Sequence, residues 1–528
     1  MKVLVTEPLA EEGISRLQSE PGIEVEVKHK LPPGELKKII GEYHGMIVRS
    51  ATRVTAELLD AAGNLKIVGR AGTGVDNIDL DAATDHGVVV VNTPGGNAVS
   101  VAELVMGVII ACARKITRAD ASMKAGKWAK KELRGRELNG KIIGIVGLGR
   151  IGREVAARAK PFGLKVIGHD PFVNIEVVRD AGIEPVDLPD LLARSHIITL
   201  HVPVNEKTRN LISSAEIASM RDGVILLNIA RGGLVDEAAL LEGLNCKKIA
   251  AAGLDCYLNE PEPMRELVGH ENVVATPHIG ASTSEAQENV GYYVAGYVAD
   301  YLTRGVLQSA VNYPAVSAEE MKALGPNLVL AERLGAFASQ VATGSMRELL
   351  VTYYGGLVDL RYALLTDRAL CAALRPFLHE MDVNPINART LAKSRGLKVT
   401  EATSRTECGF PAMIQLVLTT DRGAVRVEGA MVGEGRPPRL VSVDGLEFDA
   451  PLEGPTLFFR NDDVPGVIGR VGTFAGEKGI NIKNFALRSD DRGGAAGVVQ
   501  VDKRVDRQQR DELKQLPGIR FVRTVDLP

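Results

Sequence analysis

The chain has 528 residues, 45% hydrophobic and 24% charged, and its 63 Lys and Arg nearly balance 66 Asp and Glu for a formal charge of −3. That length supports several hydrophobic cores rather than one, and the charge balance gives no electrostatic reason to expect nucleic acid or an anionic membrane, so a small, compact substrate is expected. The longest strongly apolar run, residues 105–113, falls well short of the roughly 20 residues that cross a bilayer, and MKVLVTEP at the N-terminus lacks the layout of a signal peptide, so a cytoplasmic protein is expected.

Up to about residue 98 the β-branched runs KVLV, GMIVRS, LKIVGR and GVVVVNT alternate with amphipathic stretches such as 55–62, which predicts parallel strands joined by crossover helices. Residues 99–123 are apolar on nearly every face over their first half and predict one helix buried between domains or subunits. The stretch KAGKWAKKELRGR follows at 124–136, with six cations, one acid and the only tryptophan, Trp128; such a run is ordinarily a solvated face.

Five further strands are read at 141–147, 165–170, 195–202, 223–230 and 249–255, and their helical spacers predict a second doubly wound parallel sheet. A helix over 284–304 is expected to carry the chain back to the first domain. That gives a discontinuous substrate domain (1–98 and 283–315) around a Rossmann cofactor domain (99–282). An amphipathic helix pair at 316–342 opens an α+β region, 316–452, with strands MIQLVLTT and AVRVEGAMV and the helix NARTLAKSRG. Residues 455–528 read strand, helix, strand, strand, helix, strand, a ferredoxin-like order. The five cysteines, Cys112, Cys246, Cys256, Cys371 and Cys408, are an odd number without C-x-x-C spacing, which predicts buried thiols and argues against a disulfide frame or a zinc site.

The segment GIVGLGRIG sets Gly147, Gly149 and Gly152 in G-x-G-x-x-G spacing between a strand and the helix REVAARAKPFG, with Asp170 ending the next strand. Glycine there permits the tight turn and lets a pyrophosphate approach unpaired N–H donors at a positive helix end. Asp170 offers acceptors to ribose hydroxyls and would repel a 2'-phosphate, and no arginine follows at once in HDPFVN, so NAD is expected over NADP.

Hydride transfer to a nicotinamide requires a base for the hydroxyl proton, a partner for that base and a cation for the substrate. NIARGGLVDE places Arg231, GLDCYLNEPEP places Glu260, and ATPHIGAST places His278, each just past the carboxyl end of a parallel strand, where such ends converge on one crevice. Together with the glycine fingerprint these motifs resemble the D-isomer-specific 2-hydroxyacid dehydrogenases. The whole chain is similar to the long form of that family, which oxidises 3-phospho-D-glycerate to 3-phosphohydroxypyruvate at the entry to serine biosynthesis.

The resemblance implies that His278 is the acid/base, that Glu260 is its carboxylate partner, favouring the imidazolium, and that Arg231 holds the substrate. It puts cofactor against Thr73, Arg150, Ile151, Asp170, Val202, Ile229, Ala230, Arg231, Asp255, His278 and Gly280 besides the three glycines. It puts substrate against Gly72 and Gly74, with Arg49, Ser50 and Arg53 for the phosphate and Asn97 and Gln287 nearby. Because the apolar helix before it suggests a subunit interface, Lys130 or Arg134 is expected to reach a neighbouring subunit's phosphate site in a homo-oligomer, dimer or tetramer. FFRNDDVPGVIGRVGTFAGEKGINI resembles the opening of an ACT domain, a module that binds an amino acid between paired copies. Asn461, Asp463 and Asn481 occupy its polar positions, and L-serine is the effector it implies. The 318–452 region resembles the extra domain of the long form, where Arg436 and Arg439 would hold an anionic effector. Two other readings stay open: a glyoxylate, 2-oxoglutarate or other 2-hydroxyacid dehydrogenase, and an NAD-sensing corepressor that binds partner proteins.

Overall fold

The computed structural model describes residues 1–314, 318–378, 383–406, 409–433, 437–490 and 493–528. The first sheet has five parallel strands, β1 (Lys2–Val5), β2 (Glu24–Val27), β3 (Gly45–Val48), β4 (Ile67–Arg70) and β5 (Val89–Asn92), in the order β2-β1-β3-β4-β5. Four of them are the expected runs. The fifth, EVEV of β2, pairs only with β1 and keeps no buried residue; edge strands carry charge and so lack an apolar signature.

The second sheet runs β12-β11-β10-β9-β6-β7-β8. Its strands are β6 (Ile142–Val146), β7 (Lys165–His169), β8 (Glu184–Pro185), β9 (Ile197–Leu200), β10 (Val224–Asn228), β11 (Ile249–Leu254) and β12 (Val273–Ala275), all parallel. Strands β9 and β10 are buried at every residue, as a sheet covered on both faces demands. The chain moves outward from β6 to β8, then returns beside β6 as β9, so the crevice beyond the carboxyl ends opens where the order reverses. The two strands not anticipated, β8 and β12, are edge strands of two and three residues.

Helix Ala98–Arg114 buries Val101, Val105, Ile109 and Cys112 against Ile143, Ile145 and Leu227 of this sheet. The expected helix over 99–123 is in fact two. Lys115 takes φ 53, and the second helix, Ile116–Lys124, buries no side chain, so no packing holds it in line with the first. Helix Ser284–Arg304 does return to the first sheet, packing Val290, Val294, Val298 and Leu302 on Val3, Val5, Ile47 and Ile67.

The third sheet has the order β14-β13-β15-β16-β17-β18, from β13 (Met346–Gly355), β14 (Lys398–Ser404), β15 (Ala412–Thr420), β16 (Gly423–Ala430), β17 (Arg439–Val443) and β18 (Leu446–Pro451). In place of a helix pair before it stands a single helix, Ala318–Val341, that continues through Pro326. One buried stripe, Leu324, Leu330, Leu334, Phe337 and Val341, runs on both sides of the proline, and that burial offsets the roughly 3 kcal/mol a helix-interior proline costs. The last sheet, β20-β21-β19-β22, is antiparallel and built from β19 (Gly454–Asp462), β20 (Ile482–Ser489), β21 (Gly494–Val501) and β22 (Ile519–Leu527), with its two helices packed on one face. Its other face puts Phe458, Val498 and Val525 into the core around Phe337.

Cys112, Cys256 and Cys371 are buried as expected, but Cys246 is exposed at the end of helix Glu237–Asn245, and Cys408 lies outside the described residues. Among the described residues no helix is long and apolar enough to cross a membrane.

Candidate active site

The glycine loop leaves β6 at Gly147, where φ is 95° and a Cβ would fall 2.6 Å from the His201 carbonyl oxygen. A Cβ on Gly152 would lie 2.0 Å from the Gly147 carbonyl oxygen, whereas Gly149 borders open space. Gly149 is also the N-cap of helix Arg150–Ala159 and provides no side-chain cap, so the first N–H groups, which include those of Arg150 and Ile151, are left for an incoming anion. Asp170 follows β7; its Oδ2 accepts from the Leu148 N–H (2.9 Å) and its Oδ1 from the Phe172 N–H (2.9 Å), which fixes the carboxylate against the loop with lone pairs to spare. This cradle fits the pyrophosphate and ribose of a dinucleotide. Val202 follows β9 beside His201, whose imidazole is pushed down to about 4 by desolvation and so adds no charge there.

Arg231, Glu260 and His278 stand past the ends of β10, β11 and β12. The Arg231 turn is closed by Asn228, which donates to the Arg231 carbonyl (2.8 Å). The guanidinium donates to the Ala230 carbonyl (2.8 Å) and to Asp76 of the first domain (3.1 Å). Gly74 makes room for it, since a Cβ there would lie 1.9 Å from Arg231 Nη2. Glu260 accepts the Tyr257 N–H at Oε1 (2.9 Å), and its Oε2 lies 2.7 Å from Nδ1 of His278. With Nδ1 engaged, Nε2 is the nitrogen left for a reactant. The pair is open to the crevice, the side chains being 49% (His278) and 36% (Glu260) exposed.

His278 itself holds φ 54, a left-handed conformation that a non-glycine residue adopts only when its surroundings impose it. The imposing group is Asp255, 1% exposed. Its carboxylate accepts the Thr276 hydroxyl (2.6 Å) and the N–H groups of Ile279 and Gly280 (both 2.8 Å). Tyr257 adds a strut by donating its hydroxyl to the Thr276 carbonyl (2.9 Å). Cys256, the residue between Asp255 and Tyr257, presents its thiol to Glu260 and His278, one donor atom of each residue lying within 4.8 Å of the others.

On the facing domain Thr73 and Asn97 are joined through their side chains (3.0 Å), and Gln287 donates to the Ala281 carbonyl (2.7 Å) in the loop after His278. Arg49 donates its N–H to Glu7 (2.8 Å) and Nη1 to the Pro8 carbonyl (3.1 Å). Burial works to raise the Glu7 carboxyl, but the N–H groups of Thr52, Ala51 and Arg49 outweigh it and hold Glu7 below the usual carboxylate range. Ser50 and Arg53 are exposed.

Sequence reasoning overlooked Arg70. Its Nε is buried without a partner and its Nη1 lies so close over Gly72 that a Cβ there would fall 1.6 Å away. Burial, then repulsion by Arg231, depresses the guanidinium to about 10. Its signal was available: an arginine ending the β4 run LKIVGR immediately before the AGTG turn.

The other expected site residues are dispersed. Asn461 is 2% exposed with Oδ1 unpaired, Asp463 is exposed in the following loop, and Asn481 is exposed ahead of β20. Arg439 is spent on Asp449 (2.7 Å) rather than free for an anion, and Arg436 lies outside the described residues. Trp128 is 79% exposed, and Lys130 and Arg134 are exposed beside it.

Residues 106–280 match the family described as D-isomer specific 2-hydroxyacid dehydrogenase, NAD binding domain, and residues 323–444 match the D-3-phosphoglycerate dehydrogenase intervening domain. The chain is 40% identical over 531 residues to a D-3-phosphoglycerate dehydrogenase of Archaeoglobus fulgidus and 40% over 529 residues to that of Methanocaldococcus jannaschii, in both cases covering 100% of each chain. Its dehydrogenase part is similar to the crystal structure of a glyoxylate reductase from Paecilomyes thermophila, at 30% identity and a TM-score of 0.54 over 59% of this chain and 98% of that one.

Proposed function

The chain belongs to the D-3-phosphoglycerate dehydrogenase family and is an NAD-dependent dehydrogenase, and from that premise we propose that it oxidises 3-phospho-D-glycerate to 3-phosphohydroxypyruvate at the entry to L-serine synthesis. The observation that carries the reading is the 2.7 Å contact between His278 Nδ1 and Glu260 Oε2 at the mouth of the crevice that Arg231 and the glycine loop also border.

NAD, held by the glycine loop and Asp170, would supply the hydride acceptor. His278 takes the hydroxyl proton at Nε2, and Glu260 both orients the ring and offsets the imidazolium charge. Arg231 exchanges Asp76 for the substrate carboxylate, a bidentate match for its planar fork. Arg70 and Arg49 receive the phosphate, with Lys130 or Arg134 of a second copy closing over it in a homo-oligomer. Asp170 accepts the ribose hydroxyls, and the N–H groups of Arg150 and Ile151 meet the pyrophosphate. The segments 1–98 and 283–315 form the substrate domain, 99–282 the cofactor domain, 316–452 the intervening domain and 455–528 an ACT module. Paired modules bind L-serine through Asn461, Asp463 and Asn481 and inhibit turnover in a cytoplasmic enzyme.

A panel of 2-hydroxy acids at fixed NAD and pH tests the reaction. Phosphoglycerate is expected to give the highest kcat/KM, and equal values for glycerate or lactate would reject it in favour of a broader 2-hydroxyacid dehydrogenase. Serine is expected to inhibit the full chain less after Asn481→Ala, by the 1–3 kcal/mol typical of allosteric coupling; unaltered inhibition would move the effector site elsewhere.

A further inference from the structure

Three donors of different chemistry meet at the crevice mouth: the Cys256 thiol, a carboxylate oxygen of Glu260 and a ring nitrogen of His278 lie within 4.8 Å of one another. We propose that they form a site for a thiophilic divalent cation of the zinc class, and that its occupancy shuts the dehydrogenase off. The inhibition, unlike the binding, rests on the acid/base reading of His278 and Glu260 given above.

In a tetrahedral zinc site with S, N and O ligands at about 2.0–2.3 Å, neighbouring donors stand roughly 3.3–3.6 Å apart. The 2.7 Å His278–Glu260 contact must open slightly and the more distant donors must draw in by about an ångström, which side-chain rotation on two open residues can supply. Cys256 is 3% exposed and forms the floor, while the half-open Glu260 and His278 form a rim through which an ion can enter, with the fourth position left to water. The Cys256 thiol, a weak donor, makes one hydrogen bond, 3.4 Å, to the Ala230 carbonyl; burial pushes the thiol up, so the cation itself must displace the proton. As the sulfur–metal bond forms, the thiol proton leaves to solvent and no electron changes hands.

A mixed thiolate, imidazole and carboxylate set selects zinc-like ions over magnesium or calcium, which demand oxygen ligands. The backbone is already held, since Asp255 and Tyr257 on either side of Cys256 are the residues that clamp the His278 turn. An ion there takes Nδ1 and the Glu260 carboxylate, breaking the contact that orients the ring and offsets its imidazolium charge, and its own positive charge opposes protonation at Nε2, so binding and turnover exclude each other.

The test uses the full chain with free zinc set by a chelating buffer. Inhibition is expected to reverse on adding excess EDTA. Cys256→Ala is expected to keep its metal-free rate within about twofold and to raise the half-inhibitory zinc concentration at least about tenfold, whereas Cys246→Ala, at the exposed thiol, changes neither. Cobalt(II) reads the site without reference to activity: the wild-type protein should show a thiolate-to-cobalt charge-transfer band that Cys256→Ala lacks. Zinc inhibition unchanged in Cys256→Ala would overturn the site, as would cobalt binding to wild type with no thiolate band, a result available even if the variant fails to fold. A thiolate band with undiminished turnover of the cobalt-loaded enzyme would overturn the inhibition and, separately from the site, the assigned role of His278 and Glu260.

Discussion

Glu260 and Asp367 each hold a basic partner at short range, His278 in the dehydrogenase core and Arg389 in the intervening region, but their surroundings differ. The Glu260 side chain is 36% exposed and the Asp367 side chain 5%. Around Asp367 every direction is taken by protein. Arg389 bridges it to Glu401, the Tyr313 phenol bonds to it, and the neighbouring Thr366 hydroxyl pairs with Tyr353 at 2.6 Å. Burial raises the Asp367 carboxyl above its usual range even against Arg389 and Tyr313. At Glu260 the geometry is as tight, but the imidazole keeps Nε2 and an open face. Bond length therefore does not separate the pair proposed for catalysis from the structural one; free hydrogen-bonding capacity at an accessible position does.

The largest expected difference follows directly. His278→Ala should lower kcat by about 10²- to 10⁴-fold, the usual worth of a placed acid/base, while thermal unfolding stays near wild type. Asp367→Ala should do the reverse, costing about 2–3 kcal/mol of stability because Arg389 and Tyr313 lose their acceptor, with turnover preserved at a permissive temperature. Steady-state kinetics beside calorimetry on both variants decides the matter, and an Asp367 variant with normal stability but lost turnover would break the comparison.

Arg70 sharpens it from the other sign of charge. A guanidinium whose Nε is buried without a partner costs stability unless a ligand compensates. Arg70→Met should raise KM for phosphoglycerate by roughly 10- to 100-fold, the loss of one charge-assisted contact, and leave KM for an unphosphorylated hydroxy acid much less affected. The same variant should unfold at the same temperature as wild type or higher. A fall in stability would show that Arg70 serves the fold instead.

These cases show which parts of the molecule local sequence discloses. Gly147, Arg231, Glu260 and His278 were legible because each follows a strand end with turn chemistry written beside it, and Gly149 and Gly152 because they open the helix that comes next. The first two sheets were legible because buried parallel strands read as apolar runs, except at their edges, where the charged β2 and the two- and three-residue β8 and β12 leave no such run. Helix boundaries were less so: Lys115 breaks one helix with no glycine or proline to mark it, and Pro326 fails to break another because a buried stripe spans it. Arg70, Asp367 and the thiol of Cys256 acquire meaning only from groups far away in the chain, Arg231, Tyr313 and His278 respectively, and no local pattern encodes those encounters.

Asp170 gives the smallest effect and the finest test of free hydrogen-bonding capacity. Both of its oxygens accept backbone N–H groups, from Leu148 and Phe172 at 2.9 Å, but each carboxylate oxygen can accept twice, so two acceptors remain for ribose hydroxyls. In the proposed cofactor placement the negative charge also faces the 2'-phosphate of NADP. Asp170→Ala removes the acceptors and the repulsion together, so affinity for NAD should fall while that for NADP rises, each by about 1–2 kcal/mol, and the preference narrows from both sides. Asp170→Asn separates the two contributions, because it restores one acceptor without the charge. It should recover part of the NAD affinity yet keep the gain for NADP. Fluorescence titration of both cofactors against the three proteins measures this, and an asparagine variant as selective as wild type would mean that hydrogen bonding alone, not charge, excludes the phosphate.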